Sequence, residues 1–223
     1  MSGVKTNFNI APYYDDYDKH KNFHRILFRP GFAVQARELT QMQTILQAQI
    51  TARAKRSLIS GSVIDAQLVF NKNNGIWNAT VKPGYIYIEP TDKQLGYFVY
   101  NPGTLNLNNI NVSTNSDGPR TYLYVVYDEV QINPDGHPFP AGGGYAEVRV
   151  DDLIKDNAQG YSNHSAPGAS RYQINIVTLG STLAGSAGDV GTNRANIADY
   201  DPACGAGGDD SNCWFYPDTG SVI

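Results

Sequence analysis

The sequence predicts a mainly β chain that opens with one long N-terminal α-helix. It is an α+β protein in which an antiparallel sandwich or small barrel follows an extended arm and the helix. Three observations carry this expectation. Leu39, Met42, Leu46 and Ile50 recur at spacings of three and four, with Ile45 beside them, the period of one helical face. From Ser62 onward, short runs rich in Val, Ile, Tyr and Phe alternate with Gly, Pro and Asn turn signals, as strands do. At 223 residues the chain buries roughly 70% of its unfolded surface, so it folds without metals or disulfides.

Residues 1–21 lack apolar periodicity and hold the acidic, aromatic run Tyr13-Tyr14-Asp15-Asp16-Tyr17-Asp18, followed by a basic excess from Lys19 to Arg29. Disordered tails are poor in aromatics, so this segment is expected to be an ordered arm lying on a neighbour. Ile26-Leu27-Phe28 reads as a short strand or extended anchor. Arg29-Pro30-Gly31 breaks it, because Pro fixes its own backbone and biases the residue before it away from helix. The helix is expected from about residue 34 to 56. Gln35, Gln41, Gln43, Gln47 and Gln49 decorate it, and Arg53, Lys55 and Arg56 lie near its end, where positive charge suits the helix dipole.

The β region is expected to run through Ser62–Phe70, Ile76–Lys82, Tyr85–Glu89, Tyr97–Tyr100, an Asn-rich stretch at 104–112, Thr121–Ile132, Tyr145–Val150 and Arg171–Leu179. Asn73-Asn74-Gly75 is a tight-hairpin signal. Residues 180–212 are rich in Gly, Ala, Ser, Asn and Asp and read as a linker or a tail that orders on a partner. Trp214-Phe215-Tyr216 then reads equally as a docking peptide or a return to the core. The division is therefore 1–57 arm and helix, 58–179 β domain, and 180–223 linker or tail.

The charged fraction is 17%, below the usual ~25%, and polarity comes from Asn, Gln, Ser, Thr and Gly. With 15 Tyr, this neutral surface suits burial against other proteins. The net charge of −4 gives no electrostatic case for nucleic acid. No apolar run reaches the roughly 18 residues of a membrane helix, and the first residues do not resemble a signal peptide.

Chemistry-bearing patterns are sparse. His20 and His24 have the spacing of two ligands on a helical face, but Lys21, Asn22 and Phe23 stand where a metalloprotease motif needs its Glu. His137 and His164 stand apart from them. Cys204 and Cys213 cannot make a structural zinc site alone, and a disulfide and two free thiols are equally compatible with the spacing. Asp15, Asp16 and Asp18, and Asp151, Asp152 and Asp156, have no supporting His. Asp199, Asp201, Asp209 and Asp210 do not follow the calcium-loop spacing. Gly142-Gly143-Gly144 is no phosphate loop. No catalytic, metal or cofactor site is expected. Arg25 and Arg29, interleaved with Phe23 and Phe28, are expected to pair with carboxylates of this chain or the next.

The run YDDYDKHKNFHRILFRPGFAVQARELTQMQTILQAQI, from Tyr14 to Ile50, resembles the opening of a family of virion structural proteins of tailed bacteriophages, many of them cyanophages. The residues that carry the likeness are Tyr14, Asp15, Asp16, Asp18, Lys21, Asn22, Phe23, Pro30, Gly31, Gln35, Ala36, Arg37, Glu38, Leu39, Thr40 and Gln41. Asp18-Lys19 replaces the usual Asp-Pro, and Met42 replaces Leu. The likeness continues weakly through the Ser60–Ala66 run SGSVIDA and stops well before residue 180.

The resemblance implies a non-enzymatic component of a tail, baseplate or tail-fibre attachment, made in the host cytoplasm and carried in the virion. Many members of that family are longer, so this chain reads as an attachment module with the distal part short or absent. The expected partners are two further copies of itself, in a homotrimer around a shared helix seam, and other tail or baseplate proteins. A host surface glycan is reached through a distal partner. Phe23, Arg25, Phe28, Arg29, Arg37, Leu39, Met42, Leu46 and Ile50 are the expected interface. A neck, collar or head-fibre protein is the alternative. A third reading is a glycan-binding or glycan-degrading module with Tyr85, Tyr87, Tyr97, Tyr100, Tyr122, Tyr124 and Tyr127 on a sugar-binding face.

Overall fold

A computed structural model describes residues 9, 14–90, 95–112, 118–132, 171–183 and 193–200. The expectations placed on residues 136–170, on both cysteines, on His137 and His164, and on the 214–216 aromatics lie outside the described residues. Within them the protein is mainly β with one α-helix, α1 (Ala36–Ala54), as the sequence predicts.

The strands are β1 (Val63–Ile64), β2 (Leu68–Asn73), β3 (Ile76–Val81), β4 (Gly84–Ile88), β5 (Tyr97–Asn101), β6 (Leu105–Ile110), β7 (Thr121–Ile132), β8 (Arg171–Leu183) and β9 (Arg194–Tyr200). They form three sheets in the orders β1-β4-β5, β2-β3-β6 and β8-β7-β9. The β1–β4, β4–β5, β2–β3, β3–β6 and β7–β9 pairings are antiparallel.

The chain divides into two compact units. One comprises residues 1–49 and 129–174, and the other residues 50–128 and 175–223. In the second unit the core is apolar and tightly closed. Val81, Ile86, Ile88, Leu123, Val125 and Ile197 have no measurable exposure, and Ala195 and Ala198 fill the gaps beside them. Strand β3 alternates, burying Trp77, Ala79 and Val81 while Asn78 and Thr80 stay half-buried, the pattern of a sheet with one covered face.

The β2–β3 hairpin turns at Asn74 (φ 50°) and Gly75 (φ 81°), which gives both central residues the positive φ of a type I′ turn. The expected Ser62–Phe70 strand is interrupted. Asp65 takes φ 55°, which ends β1 and lets β2 join a different sheet. Gly61 (φ +106°) packs so closely on β9 that a Cβ there would collide with the Asn196 carbonyl.

A further expectation is corrected. Residues 194–200, inside the stretch read as linker or tail, form β9, which pairs with β7 and buries Ala195, Ile197, Ala198 and Tyr200. Of the two alternatives read at Ile26-Leu27-Phe28, the strand is not found, and the three residues lie between the 3-10 turn and the turn at Pro30.

The end of α1, from Ile50 on, belongs to the second unit. Thr51 is buried, and its hydroxyl accepts from the Gly96 N–H at 2.8 Å and donates to the Gly96 carbonyl at 3.3 Å. The Lys55 ammonium meets Glu89 at 3.1 Å. Glu89 also accepts from the Tyr87 hydroxyl at 3.4 Å, and burial raises the Tyr87 phenol well above its ordinary range, with the Glu89 charge adding to it.

Candidate assembly surface

The helix starts where the sequence supplies a cap. Glu38 reaches back to accept from the Gln35 N–H at 2.9 Å, and the Glu38 N–H donates to the Gln35 carbonyl at 3.0 Å. This is the acidic half of a capping box, and it sets the first helical residue at Ala36, two later than expected. Ahead of it, Arg29-Pro30-Gly31-Phe32 forms a turn closed by the Phe32 N–H to the Arg29 carbonyl at 3.4 Å. Pro30 precedes Gly31 at φ +83°, the order a type II turn requires.

The arm runs along its own helix. Asp15 is buried, and its carboxylate accepts from the Tyr17 N–H at 3.1 Å and from the Thr44 hydroxyl. Asp16 accepts from the Gln41 side-chain amide at 2.6 Å and pairs with Lys21 at 3.1 Å. Hydrogen bonding from the Lys21 ammonium holds the Asp16 carboxyl below its ordinary value. The Gln49 amide donates to the His24 carbonyl at 3.2 Å. A short 3-10 turn at Lys19–Lys21, capped by Asp18, lies between these contacts. The acidic run expected to rest on a neighbour therefore bonds to α1 of the same chain.

Between the arm's contacts and the helix start, residues 23–34 carry apolar side chains outward. Leu27 is 76% exposed and Phe32 68%, with Phe23, Phe28 and Val34 near half. Of the expected interface, Arg25, Arg29 and Arg37 are exposed and, among the described residues, hold no carboxylate. The Arg29 guanidinium lies over the Phe32 ring at 5.1 Å, and Lys21 over Phe23 at 5.9 Å.

On α1 the expected seam is partly rearranged. Ile45 is buried, Met42 is half-buried, and Leu39, Leu46 and Ile50 are 45%, 52% and 49% exposed. The exposed positions Ala36, Leu39, Gln43, Leu46, Ile50 and Arg53 follow one another at spacings of three and four. They make one straight stripe of heptad a and d type, with Gln43 in the place given to Met42. Of the residues bonded to the arm, Gln41 and Thr44 lie on the other side of the helix from this stripe, at 100° of rotation per residue, and Gln49 lies on its flank. From residue 39 to 52 the helix carries no charge at all.

The sequence reading missed Leu27, Phe32, Val34 and Gln43. The signal that marks them is the absence of charge beside exposed apolar side chains, which needs the burial pattern to be visible.

The sugar-binding row of seven tyrosines does not exist as one surface. Tyr87, Tyr124 and Tyr127 are buried, and the seven are divided between the β1-β4-β5 and β8-β7-β9 sheets. Only Tyr85 and Tyr100 are well exposed; they sit opposite each other in the β4–β5 register with ring centroids 5.1 Å apart, and exposed Phe98 follows on the same face. Among the described residues no group of three or more His, Cys, Asp or Glu side chains gathers at metal-binding distance.

The fold and this surface define a mainly β chain headed by an arm-and-helix module. Residues 11–96, under half of the chain, match a family described as a domain of unknown function (DUF4815), a span that takes in the arm, α1 and β1–β4. No curated protein and no solved structure matches the chain.

Proposed function

We propose that this protein is a structural component of a bacteriophage tail, at the baseplate or at a fibre attachment point. The arm and helix dock it, and the strands form a spacer or a base for another fibre protein. The observation that carries the reading is the uncharged helix of residues 39–52 with Leu39, Leu46 and Ile50 half exposed, beside an arm that presents Leu27 and Phe32. A monomer that works alone in water places charge on such a face, because exposed apolar side chains gain nothing there. The likeness of Tyr14–Ile50 to virion structural proteins lies over the same residues and supplies the setting.

The test is immunogold labelling of purified virions with antibody against the chain, backed by peptide mass spectrometry of isolated tails. Label at the distal end of the tail is the expected result. Label at the neck or head makes it a collar or head-fibre protein. A chain made during infection but absent from the particle overturns the reading.

The exposed Tyr85–Tyr100 pair with Phe98 favours a second reading, a glycan-binding strand face. A glycan array that loses its signal on Tyr100→Ala would establish it, and an array with no signal would remove it.

A further inference from the structure

We infer that the exposed stripe of α1 is a parallel, in-register coiled-coil seam for a second copy of this chain, with Gln43 as its polar layer. The inference deepens the assembly reading and rests on it for its biological setting. Its physical grounds lie in the helix alone.

The stripe Ala36–Leu39–Gln43–Leu46–Ile50–Arg53 keeps the alternating three and four spacing through all six positions, and all six are exposed. A strict heptad stripe is the narrow seam of a helix pair, whereas a helix lying on its own chain's core shows a broader apolar face. Here Ile45 and Thr51 are buried on other sides of the helix, and the six stripe positions stay exposed.

The flanks identify the occupant as a second copy. With Leu39 and Leu46 at d, the flanking e and g positions are Thr40, Met42, Gln47 and Gln49. None is charged, so from the Leu39 layer to the Ile50 layer two identical helices meet without the like-charge repulsion that a homotypic seam must avoid. Gln43 sets the orientation. In a parallel, in-register pair it faces the same residue of its partner, and the two amides bond to each other. In an antiparallel pair it faces apolar side chains, and a buried amide without a partner is costly. Arg53 closes the stripe at the C-terminal end, where its long side chain reaches water past the last layer. Ile50 at an a position with leucines at d is the two-stranded combination. The seam therefore favours a pair of helices over the three that the sequence reading expects.

The experiment uses the full chain with Cys204→Ser and Cys213→Ser, carrying either Gln43→Cys or Ala52→Cys. Position 52 is also exposed but lies off the stripe. Under mild oxidation Gln43→Cys is expected to form a disulfide-linked dimer at least tenfold faster than Ala52→Cys. Leu46→Asp added to Gln43→Cys is expected to abolish the link while far-ultraviolet circular dichroism stays unchanged, because the side chain is half exposed. Light scattering is expected to give twice the chain mass, falling to the single mass with Leu46→Asp. A trimer that links at position 43 also supports the seam.

A monomer at every concentration, or equal cross-linking at 43 and 52, overturns the proposal. Gln43→Leu supplies an independent readout: the copies still associate but lose their single orientation, seen as cross-links between mismatched positions. A Gln43→Leu protein that keeps one orientation removes the role given to Gln43. A chain that labels the tail but stays monomeric loses this inference and keeps the function proposed above.

Discussion

Strand β4 and helix α1 are built from similar materials and use them in opposite ways. Both are uncharged through their middle turns or residues and rich in apolar and amide or hydroxyl side chains. In β4, Ile86, Tyr87 and Ile88 are completely buried, and Tyr85 alone faces water. In α1, Ile45 is the only large apolar side chain fully buried, and Leu39, Leu46 and Ile50 stay about half in water. The difference teaches where stability resides. The strands hold the chain together, each buried side chain adding about 1.5–3 kcal/mol by area. The helix stripe contributes little to the isolated chain and is available to a partner.

The sharpest way to break that comparison is to cut one leucine from each region. Leu123, near the start of β7, the middle strand of its sheet, and opposite Ala198 of β9, has no exposure. Leu123→Ala is expected to destabilise by about 2–5 kcal/mol, read from the urea midpoint, because its place cannot collapse around the smaller side chain. A loss below about 0.5 kcal/mol, the range of a surface change, would mean that the strands are not the stable part.

A smaller effect is expected where the helix enters the core. Thr51→Val keeps the shape of the side chain but removes its two hydrogen bonds to the Gly96 backbone. The expected cost is about 1–3 kcal/mol, at about 0.5–1.5 kcal/mol for each of the two bonds lost. Thr51→Ser, which keeps the hydroxyl, should recover most of it. Equal losses in the two variants would place the effect in packing.

Much of this division was legible in the residues. Asn74-Gly75 dictates its hairpin locally, and the strand read at Thr121–Ile132 is found with those bounds. What the sequence hid depends on pieces meeting from afar. β9 reads as linker because Ala195 and Ala198 are small; their value appears only when β7 lies against them. The clasp of Asp15 on Thr44 joins residues 29 apart, which no local pattern announces. On α1, periodicity finds an apolar side but cannot tell which stripe the chain keeps for itself. Met42 and Ile45 read like Leu39 and Leu46 until the arm and core claim some and leave the others.

Leu46→Ala carries the comparison to its weaker side. In dilute solution it is expected to move stability by less than about 0.5 kcal/mol, since the side chain is half exposed and Ala is the better helix former. At concentrations where copies associate, the midpoint should fall relative to the parent chain, because the parent alone gains stability by mass action. Identical shifts at both concentrations would separate Leu46 from any contact between copies.

The smallest expected effect concerns the arm, and its sign follows from Asp16. The folded carboxyl is held below its ordinary value, chiefly by the Lys21 hydrogen bond and against a small opposing effect of burial. A depressed folded pKa means that the unfolded chain takes up the proton first as pH falls. The stabilisation is therefore fully present above the unfolded value of about 3.9 and is lost as pH drops through the lower folded value. The bond from Gln41 depends on the same carboxylate, so acid should release Asp16 from both Lys21 and the helix while the strands stay folded. Nuclear magnetic resonance of the Gln41 side-chain amide reads this directly, with its shift moving to the free-amide position below the carboxylate range. Asp16→Asn should show the loosened arm already at neutral pH. The group is mostly in water, so solvent screening keeps the energy small and the signal is local. If the Gln41 amide stays put through the acid range, the arm is held to α1 by the contacts of Asp15 with Thr44 and of Gln49 with the His24 carbonyl.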